Sequence, residues 1–343
     1  MHADPSSVWN SRSARDRGTT DARTRPAVDV VVPARNEERD IVDCIRSIAA
    51  QQYPSTCVRV IVVDNGSTDG TQALLRAEGI TEITQVSGRV GAVRNAGAAR
   101  GSAPIIAFLD ADCVAGPAWV SAAVDLLRDE TVGAVGGAYL VRDGCTWVES
   151  TWSTTLPTAP RLTSALPGGS FIVRRDLFEK LGGFDPDLIA GEDDDLSTRI
   201  RREGHELLLS ADCYVIHLGT PRSLREVVRR QRWHGSSQLD VAGFRDKLVL
   251  LTHLFLLGTF ALLAAIASRQ NWLIMWSMFA LLVPPILLTA RRVGATEGAL
   301  GGPLYLLKTV AVSYAFFVGR SLGLLSNYVF RIARARPSKL NAQ

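Results

Sequence analysis

The chain has 343 residues, 47% of them apolar, with a formal net charge of +4. That length leaves room for two domains, and a basic excess this small, without aromatics interleaved along one stripe, argues against nucleic-acid binding. Five cysteines (Cys44, Cys57, Cys113, Cys145 and Cys213) lack CxxC spacing, which disfavours a zinc site or a disulfide framework and fits reduced thiols in a cytosolic domain.

Residues 1–26 read as a disordered tail, because Met1 to Arg25 is rich in Ser, Thr, Arg and Asp and lacks the apolar core of an export signal. Residues 27–245 then alternate between strand and helix patterns. Val28 to Val32 is a short β-branched run ending at Pro33, followed by a helical stretch with Ile41, Ile45 and Ile48 on one face. Val58 to Val63 is a second strand, closed by Asp64, and Gly66 to Asp69 forms a turn that caps the next helix. Gly91 to Gly101 is a short Ala-rich helix, Ile105 to Leu109 a third strand ending at Asp110, and Pro117 opens a helix whose apolar face carries Trp119, Val120, Val124 and Leu127. This alternation predicts an α/β fold with a mostly parallel, Rossmann-like sheet covered on both faces. Ligands of such sheets bind beyond the carboxyl ends of the strands, where Asp64 and Asp110 both fall.

The composition changes at residue 246. Residues 248–267 form an apolar run of about 20 residues, enough for a helix to cross about 30 Å of hydrocarbon. Residues 272–290 form a second candidate span, with Trp272 at its start and Arg291-Arg292 beyond its end, and only four residues separate the two. A third apolar stretch, 304–330, carries Lys308 and Arg320. With the large domain inside, two spans return Arg291-Arg292 to the cytosol, whereas a third would place the basic tail, residues 331–343, outside. The favoured reading is two spans with the third segment interfacial or re-entrant; three ordinary spans are the alternative.

Four groups of residues carry chemistry. Asp110-Ala111-Asp112, at the end of an apolar strand, can reach a hard cation whose remaining ligands are phosphate oxygens. Asp64 can accept hydrogen bonds from a base or ribose, although an Asx turn and helix cap explain part of its motif. Glu192-Asp193-Asp194-Asp195 opens a predicted helix that stops at Gly204. A helix N-terminus accommodates one or two of these carboxylates; four in succession repel one another unless a cation or donors compensate, and one can serve as general base. Arg229-Arg230-Gln231-Arg232-Trp233 precedes the apolar region. Arg232 and Trp233 are favoured for the site, while Arg229 and Arg230 suit equally a basic collar at the bilayer. His217 is either a metal or phosphate ligand or, more in keeping with base rates, a structural histidine.

In this order, Pro33-Ala-Arg-Asn-Glu37, Asp64, Asp110-Ala-Asp112, Gly168-Gly-Ser170, Glu192-Asp193 and Arg232-Trp233 resemble the inverting glycosyltransferases of family two, whose nucleotide-sugar-binding α/β fold is called GT-A. The resemblance covers about residues 27–240. It implies that Pro33, Arg35 and Glu37 border the nucleotide and that Asp64 contacts the base, commonly uracil. Arg94 and Asn95 would line the donor pocket, and Asp112 would bind Mg2+ or Mn2+, with Asp110 assisting or placing ribose. Gly169, Ser170 and Glu192 would border the donor sugar and acceptor, and Asp193 would be the base. Processive relatives carry Gln-x-x-Arg-Trp; Arg229 stands in place of that Gln, which fits a single-sugar transfer better.

The expected activity is transfer from a nucleotide diphosphate sugar, UDP- favoured over GDP-, to a hydroxyl of a lipid, lipid-linked or polysaccharide acceptor. The expected location is the cell membrane, multi-pass, with the catalytic domain cytoplasmic. A nucleotidyl- or phosphotransferase is disfavoured because no G-x-x-x-x-G-K-[ST] loop occurs. A non-catalytic membrane scaffold that keeps the fold is the other alternative.

Overall fold

A computed structural model describes residues 25–153, 159–237, 239, 243, 246–294 and 302–335. Residues 1–24 of the expected tail and residues 336–343 lie outside them. In chain order the elements are β1 (Val28–Ala34), α1 (Ile41–Ala49), β2 (Val58–Asp64), α2 (Thr71–Ala77), β3 (Ile83–Gln85), α3 (Val90–Ala98), β4 (Ile105–Leu109) and β5 (Cys113–Ala115). There follow α4 (Trp119–Leu126), β6 (Val132–Leu140), α5 (Trp147–Trp152), β7 (Arg161–Leu162), β8 (Ser170–Arg174), α6 (Arg175–Lys180), α7 (Glu192–Arg202), β9 (Glu206–His217) and α8 (Leu224–Gly235). Three long helices close the chain: α9 (Lys247–Ser268), α10 (Asn271–Gly294) and α11 (Pro303–Ala335).

Side chains alternate between the two faces of a strand, and the core follows that period. Val30, Val32, Ala107 and Leu109 pack with Ile41, Ile45 and Ile48 of α1 and with Trp119, Val120 and Val124 of α4. Val31, Ile106 and Phe108 face the other way, towards Val93 of α3 and Phe178, Phe184, Leu196 and Ile200. Both faces are therefore covered, and each fully buried aliphatic side chain stabilises by about 1.5–3 kcal/mol.

The sheet runs β3-β2-β1-β4-β8-β6-β9-β5, with β7 paired to β9. The first four strands in that order are parallel, as the strand–helix alternation predicts. The expectation of a mostly parallel sheet ends there. β8 runs antiparallel between β4 and β6, β6 and β9 are parallel to each other, and β5 and β7 run antiparallel to β9. The sheet is mixed because β8, which follows β5, β6 and β7 in the chain, enters between β4 and β6 from the opposite direction.

That reversal builds the site. The ends of β1 and β2 are level, Ala34 opposite Asp64, and β8 begins where β4 ends, Leu109 opposite Ser170. Gly168 and Gly169 consequently arrive beside Asp110 from the opposite direction. His217, the last residue of β9, pairs with Cys113 and so stands beside Asp112.

α9 and α10 form a hairpin in which Gly258 packs against Ala280. All three terminal helices are long and apolar enough to cross a membrane, but α11 is far more enclosed by protein than the other two. Its Val312 and Ala315 join a cluster with Val148 of α5 and Val227 of α8. Along α11, Gly319 and Gly323 lie against the backbone of α8, and Gly235 of α8 lies against the backbone of Arg320. A Cβ on Gly319 would stand 2.5 Å from the Val228 carbonyl oxygen, so only glycine permits this approach. Arg320 Nε donates to Gln231 Oε1 at 2.8 Å, and Asn327 Nδ2 donates to the Ser236 carbonyl at 2.5 Å.

Candidate active site

The loop after β1 and the loop after β2 are stitched together before any ligand is considered. Asn36, with φ of 56°, accepts the Thr68 amide on its side chain and gives its own amide to Ser67 Oγ. Glu37 N–H donates to Thr71 Oγ1 at 2.8 Å. Between these loops and α3 lies a cleft of about 230 Å3, lined by Pro33, Arg35, Glu37, Asn65, Asp110, Ala111 and Asp112 among others. Six residues expected at the donor and metal sites thus share one cavity.

Asp64 is fully buried behind this cleft. Its carboxylate accepts from the Ser67 amide at 3.2 Å and from Gln72 Nε2 at 2.7 Å, and the neighbouring Asn65 lines the opening instead.

Arg94 is the electrostatic centre. It is buried, and its guanidinium donates to Asp110 Oδ1 at 2.6 Å and to Glu192 Oε1 at 2.5 Å, linking the end of β4 to the start of α7. Burial opposes its charge, but Asp110 and Glu192 outweigh that and raise the guanidinium above its ordinary value. Arg94 Nε and Glu192 Oε2 make no hydrogen bond and are buried. The face of Phe184 lies 5.5 Å from the guanidinium carbon.

Asp193, next along α7, is half-buried. Its carboxylate accepts the Gly168 amide at 2.8 Å and the Asp194 amide at 3.0 Å. Burial and the Asp194 charge push its pKa up to about 6, against the pull of Arg94 and the two amides. A carboxyl group with that value is ionised at neutral pH yet basic enough to accept a proton. Gly169 sits so close to Asp110 and Tyr139 that a Cβ would lie 2.5 Å from Asp110 Oδ2 and 2.5 Å from the Tyr139 hydroxyl, which receives the Gly169 amide.

On the other side of Asp110, Asp112 and His217 converge. Asp112 Oδ2 lies 3.7 Å from His217 Nε2, and Cys113 Sγ is within the same small group. His217 Nδ1 faces Thr220 Oγ1 at 3.4 Å, which leaves the Nε2 lone pair towards Asp112 and Arg230. Burial lowers the His217 pKa, so the ring is neutral and able to ligate. Burial raises the Cys113 thiol well above its usual range, keeping it protonated and a poor ligand. Burial, then Asp112, Asp40 and Asp110, push Glu37 up to about 8. Acidic groups forced this close fit a divalent cation held by carboxylate oxygen and imidazole nitrogen.

Other residues expected at the site make structural contacts or stand apart from the cleft. Ser170 is fully buried; its hydroxyl accepts from Trp119 Nε1 at 2.9 Å and from the Gly137 amide at 3.0 Å, so its side chain braces β6, β8 and α4. Asn95 pairs through both side-chain atoms with the backbone of Phe184. Arg232 and Trp233 are exposed on α8 and line neither the cleft nor the cavity beside His217. Arg230 turns inward, donating to the Gly219 carbonyl at 3.0 Å and approaching His217 at 3.4 Å. With Tyr139, Trp152, Ser153 and His217 it lines a cavity of about 310 Å3. Tyr139, whose ring centroid lies 4.9 Å from that of His217 at a tilt of 33°, comes shortly after Gly136 and Gly137 on β6 and carries no motif that would single it out.

A mixed sheet with acidic loops at one rim, an Asp-x-Asp at the end of β4 and a Glu-Asp at a helix start defines a GT-A glycosyltransferase domain. The model of the family described as glycosyl transferase family 2 matches residues 29–182. Glycosyltransferase AglE of Haloferax volcanii is 31% identical over 229 residues, which cover 64% of this chain and 75% of that protein. The pre-mycofactocin glycosyltransferase of Mycobacterium tuberculosis is 26% identical over 230 residues, 63% of this chain but 47% of its own length. Among solved structures, mannosyltransferase PcManGT from Pyrobaculum calidifontis, in complex with GDP-Man and Mn2+, shares the fold with a TM-score of 0.55 at 23% identity, over 96% of this chain and 94% of that one. The chain belongs to glycosyltransferase family 2, whose members draw on nucleotide sugars.

Proposed function

We propose that this chain transfers one sugar, with inversion, from a nucleotide diphosphate sugar to a hydroxyl of a lipid or lipid-linked saccharide at the cytosolic membrane face. The observation that carries the reading is the continuous line Asp112, Asp110, Arg94, Glu192, Asp193, in which one buried guanidinium joins a cation-type site to a base-type carboxylate. The donor nucleotide would enter between Pro33, Arg35, Glu37 and Asn65. Asp193 takes the proton of the acceptor hydroxyl as its oxygen bonds to the anomeric carbon; the bond from that carbon to the diphosphate breaks, and the nucleoside diphosphate leaves with the electron pair.

Asp112 and His217 would hold the divalent cation, which when bound offsets charge on the leaving diphosphate. Mn2+ suits the mixed oxygen and nitrogen donors better than Mg2+. The Mn2+ bound to PcManGT supports a divalent ion, and its GDP-Man keeps GDP-sugars beside UDP-sugars as donors.

α9 and α10 would span the bilayer, with α11 docked along α8 near the surface, a topology supported by the glycine contacts between α8 and α11. It leaves Arg291 and the catalytic domain on one side, in keeping with the positive-inside tendency.

The test is release of nucleoside diphosphate from UDP- and GDP-sugars, with Mn2+, by the full chain in detergent, using saccharide and polyprenyl-linked acceptors. Asp193→Asn is expected to lower turnover by at least 10²-fold. Unchanged turnover would remove Asp193 as base. A scaffold reading would require no turnover in the wild type with any donor.

A further inference from the structure

A second cavity, of about 490 Å3, lies where the catalytic domain meets the terminal helices, and the reaction above makes no use of it. One helical stripe of α7 (Asp194, Thr198, Arg201 and Arg202) forms one wall; Arg291 at the end of α10 and Arg320 of α11 form another. Four guanidiniums therefore face two carboxylates, Asp194 and Asp246. One of those carboxylates is already engaged: Asp246 Oδ1 caps α9, accepting the Leu248 amide at 2.8 Å and the Val249 amide at 3.1 Å. The side chains of Arg201, Arg202 and Arg291 make no hydrogen bond or ion pair with any described residue. Structural economy does not gather three such side chains around one hollow, since like charges repel across it.

We infer that this cavity binds the phosphate of an anionic lipid headgroup. A phosphate carrying up to two negative charges matches the excess of guanidiniums, and planar guanidiniums pair with phosphate oxygens through two parallel hydrogen bonds. The position selects a lipid over a free anion. The cavity is bounded by Leu248 and Val249, the first residues of one membrane helix, and by Arg291, among the last of the next. Both therefore sit at the same end of the hairpin, at headgroup depth. Immediately beyond, Leu250 and Leu257 of α9 are more than half exposed and offer an apolar path for acyl chains. Basic hollows between membrane helices on the cytosolic side are suited to this role.

The inference rests on the membrane placement of α9 and α10 but not on sugar transfer, so its test is a binding measurement. Purified full chain in detergent is titrated with dioctanoyl phosphatidic acid, dioctanoyl phosphatidylcholine and inorganic phosphate, and occupancy is read by native mass spectrometry. Phosphatidic acid is expected to bind at least tenfold more tightly than either other probe. Arg201→Gln with Arg202→Gln, and separately Arg291→Gln, are each expected to weaken it about tenfold or more, without lowering the melting temperature. These side chains are exposed and unpaired among the described residues, so the variants fold. Equal affinity of wild type and both variants for phosphatidic acid overturns the site. Equal affinity for phosphatidylcholine overturns recognition of anionic charge, and equal affinity for inorganic phosphate replaces the lipid with a free anion.

Discussion

Replacing Arg94 by Met tests the centre of the site most directly. Methionine keeps most of the side-chain length and remains compatible with the face of Phe184, but it removes the only cation paired with Glu192 among the described residues. The two carboxylates then fare differently. The Asp110 side chain is 29% exposed and can recruit water, whereas that of Glu192 is 6% exposed and already has one oxygen without a partner. Most of the cost therefore falls on Glu192. Breaking a buried pair by removing one member costs about 3–5 kcal/mol. At about 2–4 °C per kcal/mol for a domain of this size, the melting temperature should fall by roughly 6–20 °C. The readout is intrinsic fluorescence of the detergent-solubilised chain, since Trp119 is fully buried in the catalytic core. Adding Glu192→Gln to Arg94→Met removes the stranded charge and should restore at least half of the loss. A drop below 2 °C for Arg94→Met, or a double variant as unstable as the single one, would refute the assignment of Arg94 as the charge holding Glu192 in place.

Three further outcomes follow from the same geometry. As the proposed base, Asp193 would have to be ionised, and its pKa of about 6 places the expected fall of kcat/KM below pH 6, with an approach to a tenfold loss per pH unit. Because the fold raises this pKa from 3.8, the native state holds more protons than the unfolded one between pH 3.8 and 6. Stability therefore falls as pH rises through that window, and Asp193→Asn should melt higher than wild type at pH 7 while losing turnover. Ser170→Ala should cost about 1–3 kcal/mol by stranding the Trp119 and Gly137 donors, and should leave the donor KM unchanged; a raised KM would return the Ser170 hydroxyl to the site. Gly323→Ala should force α11 from the Arg232 carbonyl and destabilise by about 1–3 kcal/mol; an unchanged melting temperature would show that the two helices are not in backbone contact.

The parallel half of the sheet was readable because each of its strands is a β-branched run closed by a turn, and Val28 to Val32, Val58 to Val63 and Ile105 to Leu109 all lie within strands of the structure. The carboxylates at their ends came with them, since a strand end in an α/β sheet is also a ligand edge. The antiparallel half was silent. β6 contains Gly133, Gly136 and Gly137, which carry no β-propensity, and β7 has two residues. Register is also invisible in a single sequence, so nothing marked Tyr139 or the pairing that brings His217 to Asp112. Composition likewise does not give the rotation of α8. α11 packs against that helix, so Arg230 turns towards His217 and Gln231 towards Arg320, while Arg232 and Trp233 stay exposed.

The backbone contact between α8 and α11 has a mechanical consequence. A catalytic unit joined to its anchor by a loose linker can sample many heights above the bilayer. Here Gly235, Gly319 and Gly323 remove the slack, and the helix bearing Arg230 is clamped to α11. On the proposed membrane placement, the distance from lipid surface to reacting carbon would then be a constant of the molecule, and an acceptor whose hydroxyl lay too near or too far would be rejected by its stand-off before its chemistry was ever read.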